Sequence, residues 1–264
     1  MTGRLALRAT ALGYLALLLV IPVAMVFARA FGDGLAPAWK AVTTPPALHA
    51  FWLTLVVVAI AVPANTVFGL LTAWLLERKR FPGRRLLDAV VDLPFAVSPV
   101  VVGLALILVW GQDGWLGAGL ASLGVQVIFS LPGIVLATIF VSLPFVVREV
   151  VPVLREAGVE QEQAAHTLGA TGWQTFWRIT LPTVRWGLAY GVILTTARAL
   201  GEFGAVSIVS GKIAGRTETL TLHVEERFQS FDVAGAYAAA VVLALLAVGV
   251  LLVMTLVHRR SEAT

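Results

Sequence analysis

Long apolar runs alternate with short polar stretches along this chain. Six runs approach or exceed the roughly 20 residues that a helix needs to cross hydrocarbon. They lie at about 9–28, 51–76, 93–110, 127–147, 187–209 and 233–257. The third is the shortest, and Pro94 and Pro99 interrupt it. Pro63 marks a kink in the second run, and Pro132 and Pro144 mark kinks in the fourth. A kink inside a membrane needs neighbouring helices or cavity water to satisfy the freed backbone groups. The prolines therefore point to a packed bundle around a pathway, although any single one is equally consistent with an ordinary proline-containing helix. The pattern predicts an all-α integral membrane protein with one domain of six transmembrane helices, spanning 1–264.

Composition agrees. Of 264 residues, 59% are hydrophobic and 13% charged, with a mean hydropathy of +0.90. A soluble domain carries about 25% charged residues. The net charge of +4 and pI near 10.0 do not indicate a nucleic-acid partner, because the basic residues sit at the ends of apolar runs, as topology signals do. There is no cysteine, which excludes disulfides, thiolate metal sites and cysteine nucleophiles. The first run, preceded by Arg4 and Arg8 and followed by Ala28-Arg29-Ala30, has some features of a signal peptide. It is longer than the 7–15 residues of a signal core and is expected to be retained as a span.

Lysines and arginines orient the six spans. One set of ends and loops holds Arg4, Arg8, Arg78, Lys79, Arg80, Arg84, Arg85, Arg148, Arg155, Arg178, Arg185, Arg259 and Arg260. The opposite set holds Lys40, Lys212, Arg216 and Arg227, while Arg29 and Arg198 fall at or within spans. The positive-inside rule places the first set in the cytoplasm. Both termini and the loop 148–186 are then cytoplasmic.

The most informative polar stretch is 156–182. Ala164, Ala165 and Leu168 recur at helical spacing and form a small-faced apolar stripe. Gly169 suits a helix C′ position. Thr171-Gly172 allows a turn into a second amphipathic piece, 173–179, and Pro182 suits the first turn of the next helix. Periodicity alone fits an interfacial amphipathic helix equally well. The sequence Gln163-Ala164-Ala165-His166-Thr167-Leu168-Gly169, with Ile179-Thr180-Leu181-Pro182 after nine residues, resembles the EAA loop of ABC-importer permeases (E-A-A-x-x-x-G-x₉-I-x-L-P). Gln163 stands where that pattern has Glu, and Glu160 and Glu162 are adjacent substitutes for the charge. The resemblance implies a type I ABC-importer permease with a cytoplasmic coupling helix, docked in an ATPase subunit through Gln163, Ala164, Ala165, Leu168, Gly169, Ile179, Leu181 and Pro182.

Further stretches are similar to the sulfate/thiosulfate branch of that family: His49-Ala50-Phe51-Trp52-Leu53-Thr54, Asp92-Leu93-Pro94-Phe95-Ala96-Val97-Ser98-Pro99 and Leu143-Pro144-Phe145-Val146-Val147-Arg148-Glu149. Ala197-Arg198-Ala199-Leu200-Gly201-Glu202-Phe203-Gly204-Ala205 is shared with molybdate permeases, so molybdate or tungstate stays open as the alternative substrate. Val209-Ser210-Gly211 and Ser98-Pro99 resemble the W-type of the two homologous sulfate permeases. The resemblance covers about 10–258. It implies a bacterial cytoplasmic membrane location, a homologous T-type permease partner, two ABC ATPase subunits and an extracellular or periplasmic sulfate-binding protein. ATP and Mg would be bound by the ATPase, with no cofactor on this chain.

Arg198 and Glu202 fall inside the fifth run, four residues apart. A lone charge there costs a few kcal/mol or more, which an i,i+4 pair lowers. Three readings stay open: a neutralised packing pair, Arg198 on the pathway of a divalent anion, or a helix lying further out than drawn, broken at Gly201 and Gly204. Asp88 and Asp92 are expected to balance Arg84 and Arg85. His49, His166, His223 and His258 are dispersed without ligand spacing, so no metal site is expected. The segment 211–232, with Thr217, Glu218, Thr219, Thr221, His223 and Glu225, is either a landing place for the binding protein or a plain solvated loop. No G-x-x-x-x-G-K-[ST], H-E-x-x-H or G-x-S-x-G sequence occurs, and no catalytic residue is assigned. A membrane enzyme would rest on Arg198 and Glu202 alone. A secondary anion transporter would show repeated halves and leave the 156–182 loop unexplained.

Overall fold

The computed structural model describes residues 2–262, with side chains described for 7, 8, 10–250 and 252. The side chains of Arg4, Arg259 and Arg260, used above to orient the termini, and of His258 lie outside the described residues. Among the described residues the protein is all-helical. Helices α1 (Thr2–Leu15) and α2 (Ile21–Ala30) are joined by a π turn, Ala16–Val20. Then follow α3 (Leu35–Val42), α4 (Pro45–Arg78), α5 (Arg84–Ala96), α6 (Pro99–Trp110), α7 (Gly117–Ser122) and α8 (Leu131–Ala157). The second half comprises α9 (Glu160–Thr167), α10 (Gly172–Thr175), a π turn at Phe176–Thr180, α11 (Leu181–Leu200), α12 (Gly204–Val209), α13 (Leu220–Gln229) and α14 (Val233–Glu262).

The centre of the bundle is α8, which packs against α4, α5, α6, α11 and α12. Two buried clusters lie along it. One joins Ile134, Val135 and Val141 to Leu53, Val57, Val206 and Leu222. The other joins Val146, Val150 and Leu154 to Leu70, Ala73, Val91 and Val184. Glycine sets the spacing in the second. A Cβ on Gly69 of α4 would lie 2.6 Å from Val146 Cβ, and one on Gly191 of α11 would lie 2.9 Å from Val146 Cα. Val146 is thus held between two bare backbones, the close approach that small residues permit between membrane helices.

Buried polar groups tie the same helices together. Asn65 of α4 donates through Nδ2 to Ile139 O at 3.1 Å and Ser142 Oγ at 2.8 Å, both on α8. Proline-kinked α4 and α8 are joined there by side-chain hydrogen bonds.

The helix limits depart from the apolar runs in four places. The run at 93–110 is not one straight helix: α5 and α6 meet at a bend of 116°. Pro99 disfavours α backbone at the residue before it, and Ser98 is accordingly extended (φ −58°, ψ 134°). The run at 127–147 becomes helical only at Leu131, where extended Ser130 precedes Pro132, and continues to Ala157, where Gly158 has φ +66°. The run at 187–209 is interrupted at 201–203, between α11 and α12. Lastly, Pro182 lies in the first turn of α11 as expected, but that helix does not start afresh there. Thr180 and Leu181 are already helical, so 172–200 is one helical run.

The same sequence logic produces both π turns. Each ends two residues before a proline, Pro22 or Pro182. Proline lacks the N–H for the preceding carbonyl and crowds it. Widening the turn just ahead accommodates that defect without breaking the helix.

Among the described residues, four helical segments are long and apolar enough to cross a membrane: Thr10–Ala30, Pro45–Arg78, Leu131–Ala157 and Val233–Val250. The bent pair of α5 and α6 is a fifth candidate. The arginine-bearing α11 is not among them.

Candidate functional site

Residues 156–182 fold into a compact hook. Gly158 ends α8, and α9 follows with Glu160 and Glu162 in its first turn, where carboxylates meet the positive end of the helix. The far end of α9 closes as a Schellman motif: Ala170 N–H donates to Ala165 O at 3.0 Å and Gly169 N–H to His166 O at 3.0 Å. Gly169 has φ +87°, and no atom lies within 4 Å of where its Cβ would be. Backbone geometry alone requires glycine there. Thr171 and Gln174 then form a capping box that starts α10.

Gln163, Ala164 and Leu168 are exposed, Leu168 by 88%, and Ala165 is half-buried. Leu168 lies just beyond α9, so the expected stripe is two alanines on the helix plus a leucine at its tip. Ile179 and Leu181 are half-buried, with Leu181 against the inner cluster, and Pro182 is exposed. Thus the residues matching the EAA pattern divide into an outward set, Gln163, Ala164 and Leu168, and an anchoring set, Ile179 and Leu181.

The hook is fastened by two residues that the pattern did not identify. Arg78, at the end of α4, donates through Nε to Glu162 Oε2 at 2.9 Å, through NH1 to Leu154 O at 3.0 Å and through NH2 to Gly158 O at 2.8 Å. Thr180 Oγ1 donates to Glu162 Oε1 at 2.8 Å. One carboxylate and one guanidinium thereby join the ends of α4 and α8, the start of α9 and the entry to α11. The Arg78 side chain is 8% exposed, and removing one member of so buried a pair typically costs about 3–5 kcal/mol. Glu162 therefore provides the acidic group next to Gln163, directed inward. Beside it lies a largely apolar groove of about 390 Å³ that includes Leu71, Trp74, Lys79, His166, Trp173 and Phe176. Trp173, Phe176 and Trp177 form an aromatic cluster with ring centroids 5.4–6.4 Å apart, and Trp173 is 71% exposed.

Arg198 and Glu202 do meet: Arg198 NH1 lies 2.6 Å from Glu202 Oε2. Glu202 Oε2 has no hydrogen-bond partner among the described residues, so this is a contact between charges. The other oxygen, Oε1, accepts Ala205 N–H at 2.9 Å, which satisfies one free donor of α12. Glu202 is buried, while Arg198 is half-buried. The carboxylate has a structural task in the break between α11 and α12, and the guanidinium remains accessible.

Two expectations are corrected. Asp88 and Asp92 do not balance Arg84 and Arg85. Both bind Arg148, at 2.9 and 2.6 Å, strapping α5 to α8, while Arg84 and Arg155 share Glu77. Nor is 211–232 a plain solvated loop. It contains α13, and Thr217, Glu218, Thr219 and His223 are buried. Leu220 N–H donates to Thr54 Oγ1 of α4 at 2.9 Å.

Comparison with known proteins agrees with this architecture. A Synechocystis sp. sulfate transport system permease protein CysW is 54% identical over 253 residues, covering 96% of this chain and 92% of that protein. The Escherichia coli K12 CysW is 50% identical over 247 residues, covering 94% and 85%. The E. coli K12 sulfate transport system permease protein CysT is 44% identical over 234 residues, covering 89% and 84%. A chain from a crystal structure of a bacterial alginate ABC transporter, in complex with alginate pentasaccharide-bound periplasmic protein, superposes with a TM-score of 0.81 at 18% identity, covering 98% of this chain and 94% of that one; this likeness concerns the fold. Residues 65–262 match the family described as binding-protein-dependent transport system inner membrane component, and the chain belongs to that family.

Proposed function

We propose that this chain is a permease subunit of an ATP-driven importer of sulfate and thiosulfate, forming the translocation path with a homologous permease. The observation that carries the substrate is its identity, over nearly its whole length, to chains named as sulfate transport permeases. In this reading the chain crosses the membrane six times: through α1–α2, α4, the bent α5–α6 pair, α8, the α11–α12 segment and α14. Both termini and the 156–182 hook face the bacterial cytoplasm.

The hook docks into one of two ATPase subunits, which bind ATP and Mg. A binding protein delivers the anion from the opposite side. This chain contributes no catalytic group. ATP-driven closure of the ATPase pair pulls on Leu168, Ala164 and Ala165. The Arg78–Glu162 clamp transmits that pull to α4, α8 and α11 together. ATP must favour one arrangement of the permeases over the other by a few kcal/mol, and about 5.5 kcal/mol gives near-complete inversion of the population. Arg198 offers a positive charge to a passing divalent anion.

Reconstitution with the partner permease, the ATPase and the binding protein tests this. Labelled sulfate should enter vesicles only with ATP and binding protein present. Preferential molybdate uptake would replace the substrate, and uptake driven by an ion gradient without the ATPase would overturn the mechanism. Accessibility of a tag inserted in the hook tests its side independently.

A further inference from the structure

Ahead of α14 the chain turns through 210–219 into α13, and three groups from separate sequence positions converge there. Glu218, His223 and Glu226 each present a ligand-capable atom, all within 4.8 Å of one another. The Glu218 and His223 side chains are each 2% exposed; Glu226 is exposed. His223 and Glu226 lie three apart on α13 and share a face. Glu218 precedes that helix, and its N–H is held by Ile213 O at 3.2 Å.

Glu218 Oε1 and His223 Nδ1 share a hydrogen bond at 3.1 Å, while Glu218 Oε2 is buried with no partner among the described residues. Leaving a buried acceptor unsatisfied costs about 1–3 kcal/mol, and more for a charged group. A cation bound by both oxygens of Glu218, in place of the proton shared by Oε1 and Nδ1, would remove that cost. Nitrogen and oxygen ligands held about 2.0–2.1 Å from one tetrahedral ion stand about 3.3 Å apart, close to the Nδ1–Oε1 separation. Glu226, whose other charge contact is a long 3.6 Å approach to Arg227, can supply a third ligand, with water in the fourth position.

We propose that Glu218, His223 and Glu226 form a binding site for one divalent transition-metal ion of the zinc class. An imidazole with two carboxylates suits such an ion better than calcium or magnesium, which favour all-oxygen sets. The ion ties the 213–218 turn to α13. Because α13 packs on α4 and α14, it stiffens the end of the bundle where those helices meet. The dispersed histidines hid this site, since two of its three ligands are glutamates.

The test uses the full chain within its purified transporter, without a histidine tag, stripped by chelator and titrated with Zn²⁺. Wild type should retain one more Zn²⁺ per chain than the Glu218→Gln/His223→Gln variant, and only wild type should gain several degrees in Tm. Glu226→Gln should weaken binding at least tenfold. Equal zinc retention in wild type and the double variant would overturn the site, as would an unchanged wild-type Tm. Should the variants fail to assemble, Co²⁺ added to the stripped wild-type protein decides. Visible d–d bands of a four-coordinate nitrogen–oxygen site are expected, and a purely six-coordinate, aquo-like spectrum overturns the proposal.

Discussion

Arg78 and Glu162 are 84 positions apart in the chain and meet at 2.9 Å. Their contact binds the hook to the body of the protein through a single buried pair. The guanidinium fork also reaches Leu154 O and Gly158 O, so its loss would leave two carbonyls without that donor and Glu162 with Thr180 but no counter-charge. Replacing Arg78 by Ala should lower stability by about 3–5 kcal/mol. Arg78→Lys should keep the charge and lose the fork. We expect both to reduce uptake more than ATP hydrolysis, read as the ratio of the two rates in vesicles. An unchanged ratio would remove the clamp from the transmission path.

Gly169→Val should leave membrane insertion intact while uncoupling ATP hydrolysis from uptake. The open space around Gly169 means that the damage comes from φ +87° alone. Left-handed backbone costs a residue with a Cβ roughly 1–2 kcal/mol, and a β-branched one more. Gly169→Asn, which tolerates that region, should retain most of the uptake. Equal loss in both variants would point to a steric role at the docking surface.

Gln163→Glu should assemble normally or bind the ATPase more tightly, measured by co-purification. Gln163 is exposed, and the inward carboxylate is already supplied by Glu162. Failure to assemble would mean that the outer face of α9 docks differently.

Arg198→Gln and Glu202→Gln should differ. The arginine variant should lower transport at normal membrane level, because Arg198 is partly accessible. The glutamate variant should lower thermal stability, because Glu202 is buried and caps α12. If Arg198→Gln instead reduced assembly, its role would be packing.

Gly69→Leu should destabilise the bundle by more than the 1–3 kcal/mol of ordinary overpacking, since even a Cβ meets Val146 at 2.6 Å. Gly191→Leu should act alike, and both should show as a lowered Tm.

The sequence made the apolar helices and the Gly169 terminus legible, because hydrophobic runs and a C′ glycine are local signals. It marked candidate breaks, at Pro94 and Pro99 in the third run and at Gly201 and Gly204 in the fifth, but not the shape that they take. The α5–α6 bend depends on Ser98 being driven extended by Pro99, and the α11–α12 break depends on Glu202 competing for a backbone N–H. Both are invisible to an average over apolar residues. Long-range pairing was equally hidden. Asp88 and Asp92 had nearer basic neighbours than Arg148, yet the packing of α5 on α8 selected Arg148. Arg78 read as one more topology-setting charge until the fold placed it beside Glu162. Pro182 does lie in the first turn of α11, but the π turn before it, which joins that helix to α10, left no local signal.

That uninterrupted passage has a mechanical consequence. From Gly172 to Leu200 the backbone never leaves the helical state, a shaft of about 40 Å at 1.5 Å per residue. Trp173 sits at one end and Arg198 near the other. A tilt imposed on the indole reaches the guanidinium through this shaft, less whatever torque the widened turn before Pro182 dissipates.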